Sequence, residues 1–289
     1  MDIYEIVTDR IVKELEKGVV PWEKPWIGSD GAVKHSTGES YSLLNQMLLG
    51  KSGEWLSYKQ ALAEGGCVKK GEKGSIVVFW TFLDKKTDKL DKDGNPIIEK
   101  IPFLKYYTVF HIDQCEGIKP KWNKERFVDN KPLEEAQRLF DDYTTRENIK
   151  VHTGDKAFYR PSDDSITLPA LDTFKIIEEY YSTAYHEAIH STGAKERLNR
   201  DGIVLRTGFG SENYSKEELV AEIGACVLLN KVGIENKKTF QNNTAYIDNW
   251  LGALRNDKRF IVSASSKAEK AVKYFLGEIA KEETAKEVA

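Results

Sequence analysis

The feature that most restricts the fold of this chain is an amphipathic helical pattern between residues 174 and 193. Apolar side chains recur there at intervals of three and four, the spacing of one face of an α-helix. The pattern stops at Gly193, a residue type common just after helix C-termini. We therefore predict a helix that packs one face on a core. The apolar face consists of Phe174, Ile177, Tyr181, Ala184, Tyr185 and Ala188.

His186 and His190 lie within this predicted helix, at positions i and i+4. Because one helical turn separates them, both imidazoles can reach a single ion, and Glu187 can reach a water on that ion. This is the HExxH spacing of metal-dependent peptidases. The alternative is a pair of hydrogen-bonded histidines without a metal. The spacing favours one divalent ion per chain, zinc or another metal, with both histidines as ligands.

A third ligand is expected, because catalytic zinc sites usually combine three protein ligands with a water. The next predicted helix, at residues 215–222, carries Glu218 and Glu222 one turn apart. We predict Glu218 as the ligand and Glu222 as the carboxylate that orients a histidine, since ligating histidines usually have such a partner. The reverse assignment stays open. Ser215 and Glu218 also fit a capping box, in which Glu218 would only close the helix N-terminus.

A site of this type predicts metal-assisted hydrolysis of a peptide or protein. The ion would lower the pKa of its water to about 7, and Glu187 would act as the acid/base carboxylate. An extended segment at residues 164–168 is interpreted as an edge strand that holds the peptide by main-chain pairing.

The N-terminal half has a different periodicity. Residues 75–82 and 103–110 are rich in β-branched and aromatic side chains, which predicts two strands. The charged stretch at 84–100 is interpreted as a long hairpin connection with its turn at 93–96. Helices are predicted near residues 3–15 and 41–48, and after Ser57. The fold class is therefore α+β, with a small antiparallel sheet in this half.

Polar, proline-containing sequence at residues 119–132 separates this half from a mostly helical one. Helices are predicted near residues 133–143, 245–254 and 267–279, in addition to the two that carry the metal-binding pattern. The chain has 289 residues, which is long for a single core. We predict two domains, 1–130 and 131–289.

Composition excludes several protein classes. The net charge is −3, from 43 Lys+Arg and 46 Asp+Glu, so binding to nucleic acid through bulk positive charge is not expected. No apolar run approaches the roughly 20 residues that span a bilayer, and the N-terminus lacks a signal-peptide pattern. The three cysteines are far apart and without CxxC spacing. We expect a cytoplasmic protein with no membrane partner.

Aromatic and basic residues accumulate in the N-terminal half. Rings beside cationic side chains suit a sequence-indifferent binder of single-stranded nucleic acid, since each base offers a π-face and each nucleotide a phosphate. The alternative is that these rings are ordinary core residues. The predicted contacts are Trp22, Trp26, Tyr41, Tyr58, Lys69, Lys70 and Lys73.

Taken in order, these motifs resemble the ArdC family of antirestriction proteins over nearly the whole chain. The shared residues are Val20-Pro21-Trp22, Pro25-Trp26, Tyr41, Asn45, Trp55, Gln60, Gly65-Gly66, Lys70-Gly71-Glu72-Lys73-Gly74, Tyr181-Ser182-Thr183, His186-Glu187, His190, Thr192-Gly193, Arg197-Leu198, Tyr214 and 217–222.

The resemblance implies an N-terminal single-stranded-DNA-binding domain and a C-terminal, mostly helical, zincin-like metallopeptidase domain. Proteins of this family travel on plasmids, phages and other mobile elements and protect incoming DNA from host restriction. By motif position, His186, His190 and Glu218 become the metal ligands and Glu187 the acid/base.

The sequence leaves three functional hypotheses. The first is a DNA-binding antirestriction protein with an active metallopeptidase domain. The second is a DNA-binding protein whose metal site is structural or inactive. The third is a plain cytoplasmic zinc metallopeptidase without a DNA role, which binding of a single-stranded oligonucleotide would separate from the other two.

Overall fold

The computed structural model describes residues 2–22, 31–90, 96–122, 132–205, 212–234 and 244–279. Within these ranges helices and strands alternate in the first half and helices dominate the second, so the predicted α+β class is confirmed. The helices are α1 (Ile3–Glu16), α2 (Leu43–Leu49), α3 (Tyr58–Ala63), α4 (Pro132–Glu147), α5 (Ile177–Ser191), α6 (Asp201–Val204), α7 (Glu212–Val232), α8 (Thr244–Asn256) and α9 (Phe260–Phe275). The strands are β1 (Ala32–Lys34), β2 (Gly53–Leu56), β3 (Cys67–Val68), β4 (Ser75–Leu90), β5 (Pro96–His111), β6 (Cys115–Glu116), β7 (Lys150–Thr153), β8 (Phe158–Arg160) and β9 (Ser165–Leu168).

The N-terminal sheet has the strand order β1-β2-β5-β4. β2, β5 and β4 pair antiparallel, as predicted, whereas β1 pairs with β2 in parallel. Parallel neighbours need a crossover connection, which here contains α2. The sheet is therefore mixed, with one parallel edge strand.

The hairpin of β4 and β5 is longer than the sequence predicted. The strands continue as far as Leu90 and resume at Pro96, so most of the charged stretch at 84–100 is paired strand rather than loop. The pairing runs from Ser75 opposite Val109 to Lys86 opposite Ile98, with a register shift before Leu90. Charged residues are depleted in strands but not excluded from them, so the composition alone did not rule out strands here.

The second sheet has the order β7-β9-β8 and lies beside α5 in the C-terminal half. β9 pairs with β7 in parallel and with β8 antiparallel, so both of its edges are occupied. The prediction that residues 164–168 form an edge strand is therefore wrong. β8 lies at the edge of this sheet and contacts α5.

The largest of three apolar clusters among the described residues joins elements from both ends of the chain. α1 buries one face at helical spacing, and α8 and α9 lie against it. The predicted division into domains 1–130 and 131–289 stays a prediction, because the boundary falls outside the described residues and the core extends across it. Core members from the two halves include Val7, Ile11, Leu15, Trp22, Leu48, Trp250, Leu254, Ala268, Ala271 and Phe275.

α5 and α7 pack closely against each other because α7 has a glycine at the crossing. A Cβ on Gly224 would lie 2.9 Å from a side-chain carbon of Ile189 on α5, so only glycine allows this approach. α7 already begins at Glu212, which places Ser215 inside the helix rather than at its N-cap. The capping-box alternative for Glu218 therefore does not apply. No helix in the described ranges is long and apolar enough to cross a bilayer.

Candidate metal centre and nucleic-acid surface

α5 and α7 bring three of the predicted ligands together. The Nε2 atoms of His186 and His190 lie 3.0 Å apart. One carboxylate oxygen of Glu218 lies 3.4 Å from Nε2 of His186, and the other lies 3.4 Å from Nε2 of His190. Among the described residues, this is the group whose ligand atoms all fall within 4.8 Å of one another. Local helix geometry supplies the pair of histidines, and the close packing of the two helices supplies the carboxylate.

The chemistry of this donor set fits a divalent cation. Two imidazole nitrogens that face each other at 3.0 Å need a proton or a cation between them. Burial lowers the pKa of His186, but the carboxylates of Glu218 and Glu222 outweigh burial and raise it well above its usual value. Burial opposes ionisation of Glu218 as well, yet the two histidines hold its pKa far below the usual range. The site therefore favours positive charge beside an ionised carboxylate.

Each histidine has a carboxylate at its second nitrogen. Nδ1 of His186 lies 3.5 Å from Glu222, the residue predicted to orient a histidine. Nδ1 of His190 lies 3.3 Å from Oε1 of Glu217, which the sequence analysis did not single out. Glu217 is buried and forms an ion pair with Arg200 at 2.6 Å. The sequence signal was the adjacency of Glu217 and Glu218, because consecutive helical residues point in different directions and can serve different atoms.

The side chain of Glu187 on α5 contacts β8. Its Oε2 accepts a hydrogen bond from the backbone N–H of Tyr159 at 2.8 Å, and its side chain is largely buried. Because Tyr159 is the central residue of β8, this contact places the edge of the second sheet directly beside the predicted acid/base. β8 thus has the position at the sheet edge that the sequence analysis predicted for residues 164–168.

The predicted aromatic contacts fall into three groups. Trp22 is 0% exposed and packs edge-on against Trp250 with ring centroids 5.3 Å apart. Tyr41 is also buried, and burial raises its pKa to about 12. These placements contradict base stacking at Trp22 and Tyr41, because neither ring has a free face, and match the alternative that they are core residues. Tyr58 is exposed, and Trp26 lies outside the described residues.

The predicted lysines Lys69, Lys70 and Lys73 are exposed in the segment between β3 and β4. The ammonium of Lys69 donates to the backbone carbonyl of Asp113 at 2.8 Å, which fixes it beside the end of β5. The other two extend into solvent. This segment therefore presents positive charge, as predicted, beside the sheet that contains β4 and β5.

The β4–β5 hairpin exposes aromatic rings that the sequence analysis did not single out. Tyr107 is 52% exposed and lies edge-on to Phe79, with centroids 5.6 Å apart. Strand pairing puts Phe79 opposite Lys105, and Phe103 two residues before Lys105, so all four side chains share one face. We call Phe79, Phe103, Lys105 and Tyr107 the hairpin face. Trp80 and Tyr106 are exposed on the opposite face.

Two protein-family models match separate parts of the chain. The model described as the N-terminal domain of anti-restriction factor ArdC matches residues 1–110. The model described as zincin-like metallopeptidase matches residues 134–267, which include α5 and α7.

Comparison with individual proteins extends these matches over nearly the whole chain. A DNA primase TraC of Escherichia coli is 36% identical over 94% of this chain, which spans only 20% of that protein's length. The uncharacterized protein y4eC of Sinorhizobium fredii (strain NBRC 101917 / NGR234) is 31% identical over 93% of this chain and 89% of its own.

Crystal structures of the antirestriction protein ArdC from plasmid R388 are also similar. The metal-free structure has a TM-score of 0.73 and 34% identity, and covers 96% of this chain and 97% of its own. The Mn(II)-bound structure has a TM-score of 0.73 and 35% identity. The similarity in sequence and fold covers the N-terminal sheet as well as α5, which carries both histidines. The chain therefore belongs to the ArdC family of antirestriction proteins.

Proposed function

We propose that this chain is an antirestriction protein that binds single-stranded DNA and holds one divalent ion, zinc or another metal, at His186, His190 and Glu218. The observation that carries the metal assignment is the convergence of two Nε2 atoms, 3.0 Å apart, on the two oxygens of one carboxylate. Imidazole nitrogen and carboxylate oxygen are the usual ligands of such ions.

A bound ion at this centre would polarise the scissile carbonyl of a peptide and make its water acidic. Glu187 is the chain's own proton carrier: it accepts a proton from the attacking water and delivers it to the leaving amine. The N–H of Tyr159, 2.8 Å from Oε2, keeps one oxygen of Glu187 fixed and leaves the other for the proton. In the part of the chain that the structure describes, β8 is the edge strand beside this carboxylate, and we place the peptide substrate along it.

Elemental analysis of the purified full chain tests the metal assignment. We expect about one divalent ion per chain, and loss of that ion in His186→Ala, because removing one of three ligands removes much of the coordination energy. His152→Ala is the matched control, since His152 is an exposed histidine on β7. Equal metal content in all three proteins would refute the site.

The DNA-binding surface that we propose is the hairpin face together with Lys69, Lys70 and Lys73. Single-strand binders combine rings for stacking with cations that neutralise phosphates. Tyr107 and Lys105 supply both on one strand, and both are exposed. Phe79 contacts the ring of Tyr107 edge-on, and the ring centroids of Phe79 and the buried Tyr41 lie 6.4 Å apart. Such a surface reads no base edge, so little sequence preference is expected.

Oligonucleotide titrations of the full chain test this surface. Tyr107→Ala should weaken binding of a single strand by about 1 to 3 kcal/mol, roughly 5- to 150-fold, while duplex binding stays weak. Tyr106→Ala is the matched control, because Tyr106 is equally exposed on the opposite face of the hairpin. If Tyr106→Ala weakens binding and Tyr107→Ala does not, the assignment of the face is wrong. Absence of binding by the wild type at low salt would refute the DNA role.

A further inference from the structure

We infer that Glu217, held in place by Arg200, is a positioning residue for the metal centre and fixes the imidazole of His190. The inference rests on the proposed metal function and adds residues outside the ligand set. It concerns how the chain prepares one nitrogen of His190 for an ion, and the contacts that carry it lie entirely among described residues.

Glu217 determines which nitrogen of His190 carries the proton. Glu217 Oε1 lies 3.3 Å from Nδ1 of His190, on the side of the ring away from Glu218. The guanidinium of Arg200 donates to both oxygens of Glu217, so this carboxylate is held as one half of an ion pair. An ionised carboxylate can only accept, so Nδ1 carries the proton and donates it. Nε2 then directs its lone pair towards Glu218 and His186, where a cation would lie.

Arg200 anchors the carboxylate of Glu217. The guanidinium donates to both carboxylate oxygens, from Nη2 to Oε1 at 2.6 Å and from Nε to Oε2 at 3.0 Å. Its remaining donors reach the end of α5: Nη2 donates to the carbonyl of Ile189 at 2.7 Å, and Nη1 donates to Oγ1 of Thr192 at 2.7 Å. Arg200 thus binds α5, which carries both histidines, to α7, which carries Glu217.

Gly193 leaves the space that the side chain of Arg200 needs. A Cβ on Gly193 would lie 2.9 Å from the guanidinium of Arg200, so glycine at this position allows the side chain to pass under the end of α5. Arg200 and Glu217 are both buried, and a buried ion pair persists only where further hydrogen bonds satisfy its polar atoms. The contacts to Ile189 and Thr192 meet that requirement.

Glu217 differs from Glu218 in the histidine nitrogen that it contacts. Neighbouring residues on a helix point about 100° apart, so Glu217 and Glu218 approach His190 from opposite nitrogens. Glu218 contacts Nε2 of both histidines, whereas the histidine contact of Glu217 is to Nδ1. Glu217 therefore serves His190 as Glu222 serves His186, but with a buried arginine behind it. Its contribution is orientation of a ligand, without direct contact to an ion.

The test is Zn²⁺ affinity of the metal-stripped full chain, measured by competition with a chromogenic chelator. Glu217→Gln should still bind one ion but 10- to 100-fold more weakly, the usual effect of losing an outer carboxylate partner. The visible spectrum of Co²⁺-loaded protein should keep the wild-type band positions, because the ligands are unchanged. The double variant Glu217→Gln/Arg200→Gln replaces the ion pair by a neutral pair and should weaken Zn²⁺ to a similar degree.

Glu54→Gln is the matched control for loss of a buried glutamate. Glu54 is equally buried, contacts Nδ1 of His35 at 2.5 Å and accepts from the backbone N–H of Trp122 at 2.6 Å, in the other half of the chain. It should change Zn²⁺ affinity by less than twofold even where it lowers stability. Circular dichroism establishes which variants fold. If Glu217→Gln does not fold, the double variant decides the outcome.

Two results would overturn the inference alone. Zn²⁺ affinity within twofold of the wild type in folded variants of Glu217 would show that the carboxylate does not prepare His190. Complete loss of the ion with an altered Co²⁺ spectrum in Glu217→Gln would make Glu217 a ligand. A wild-type chain that binds no divalent ion would instead refute the proposed metal function, and this inference with it.

Discussion

Replacement of Trp22 by alanine tests whether this ring is a core residue or a DNA contact. The side chain is 0% exposed, and its Nε1 has no hydrogen-bond partner among the described residues, so the substitution removes packing rather than a hydrogen bond. A buried tryptophan hides about 150 to 250 Å². At about 25 cal/mol per Å², this corresponds to roughly 4 to 6 kcal/mol, which is an upper estimate. Measured Trp→Ala costs in cores are about 3 to 5 kcal/mol.

We expect Trp22→Ala to lower the free energy of unfolding by about 3 to 5 kcal/mol, a large part of the roughly 5 to 15 kcal/mol typical of folded proteins. The corresponding fall in Tm is on the order of 10 °C for a chain of this size. Urea unfolding followed by far-ultraviolet circular dichroism measures the first quantity, and a thermal scan measures the second. Tyr107→Ala is the control, because an exposed side chain should change stability by no more than about 0.5 kcal/mol.

The same two variants should behave in the opposite way towards DNA. At a temperature where Trp22→Ala is folded, its affinity for a single-stranded oligonucleotide should stay within twofold of the wild type, whereas that of Tyr107→Ala should fall. The reasoning would be refuted if Trp22→Ala kept wild-type stability within about 1 kcal/mol and lost tenfold or more in DNA affinity. That outcome would mean that the ring leaves the core and stacks on a base.

Three further outcomes are expected. Glu218→Gln should lose the ion, whereas Glu222→Gln should retain it with weaker binding; elemental analysis showing the reverse would exchange the two roles. Zn²⁺ affinity should fall as pH is lowered through the raised pKa of His186, because the ligating nitrogen must release its proton before an ion binds; a chelator competition that is flat with pH would contradict this. Arg197→Ala should cost about 1 to 3 kcal/mol in urea unfolding, because it removes the guanidinium 3.0 Å from the buried carboxylate of Glu147, which keeps its contacts to Arg146 and the hydroxyl of Tyr274; an unchanged free energy of unfolding would count against this.

The sequence predicted the spacing of the candidate metal ligands wherever local geometry determines it. His186 and His190 share a face because helical periodicity requires it, and Glu218 was assigned from the requirement for a third ligand. Glu217 was missed because its role depends on Arg200, which follows α5 across a turn, and on the crossing of α5 and α7. A contact between distant segments has no counterpart in local spacing.

The N-terminal surface was harder to predict because ring position and ring exposure are separate properties. Trp22 follows a proline in an irregular segment, which suggested an exposed ring, but the ring is enclosed by Trp250 from the other end of the chain. Tyr106 and Tyr107 lie in a correctly predicted strand. Their exposure could not be predicted, since both faces of the strand carry aromatic and apolar side chains and alternation does not distinguish covered from open sides.

The shared core also determines how bound ligands affect the stability of this protein. α1 lies against α8, and α2 lies against α9, so unfolding of either end exposes apolar surface of the other. A ligand that binds only the folded state adds RT ln(1 + [L]/Kd), about 2.7 kcal/mol at a hundredfold excess over Kd. If the core unfolds as one unit, an ion at α5 and an oligonucleotide on the hairpin act on the same equilibrium. Each would then protect the opposite half from unfolding, although neither alters the affinity of the other.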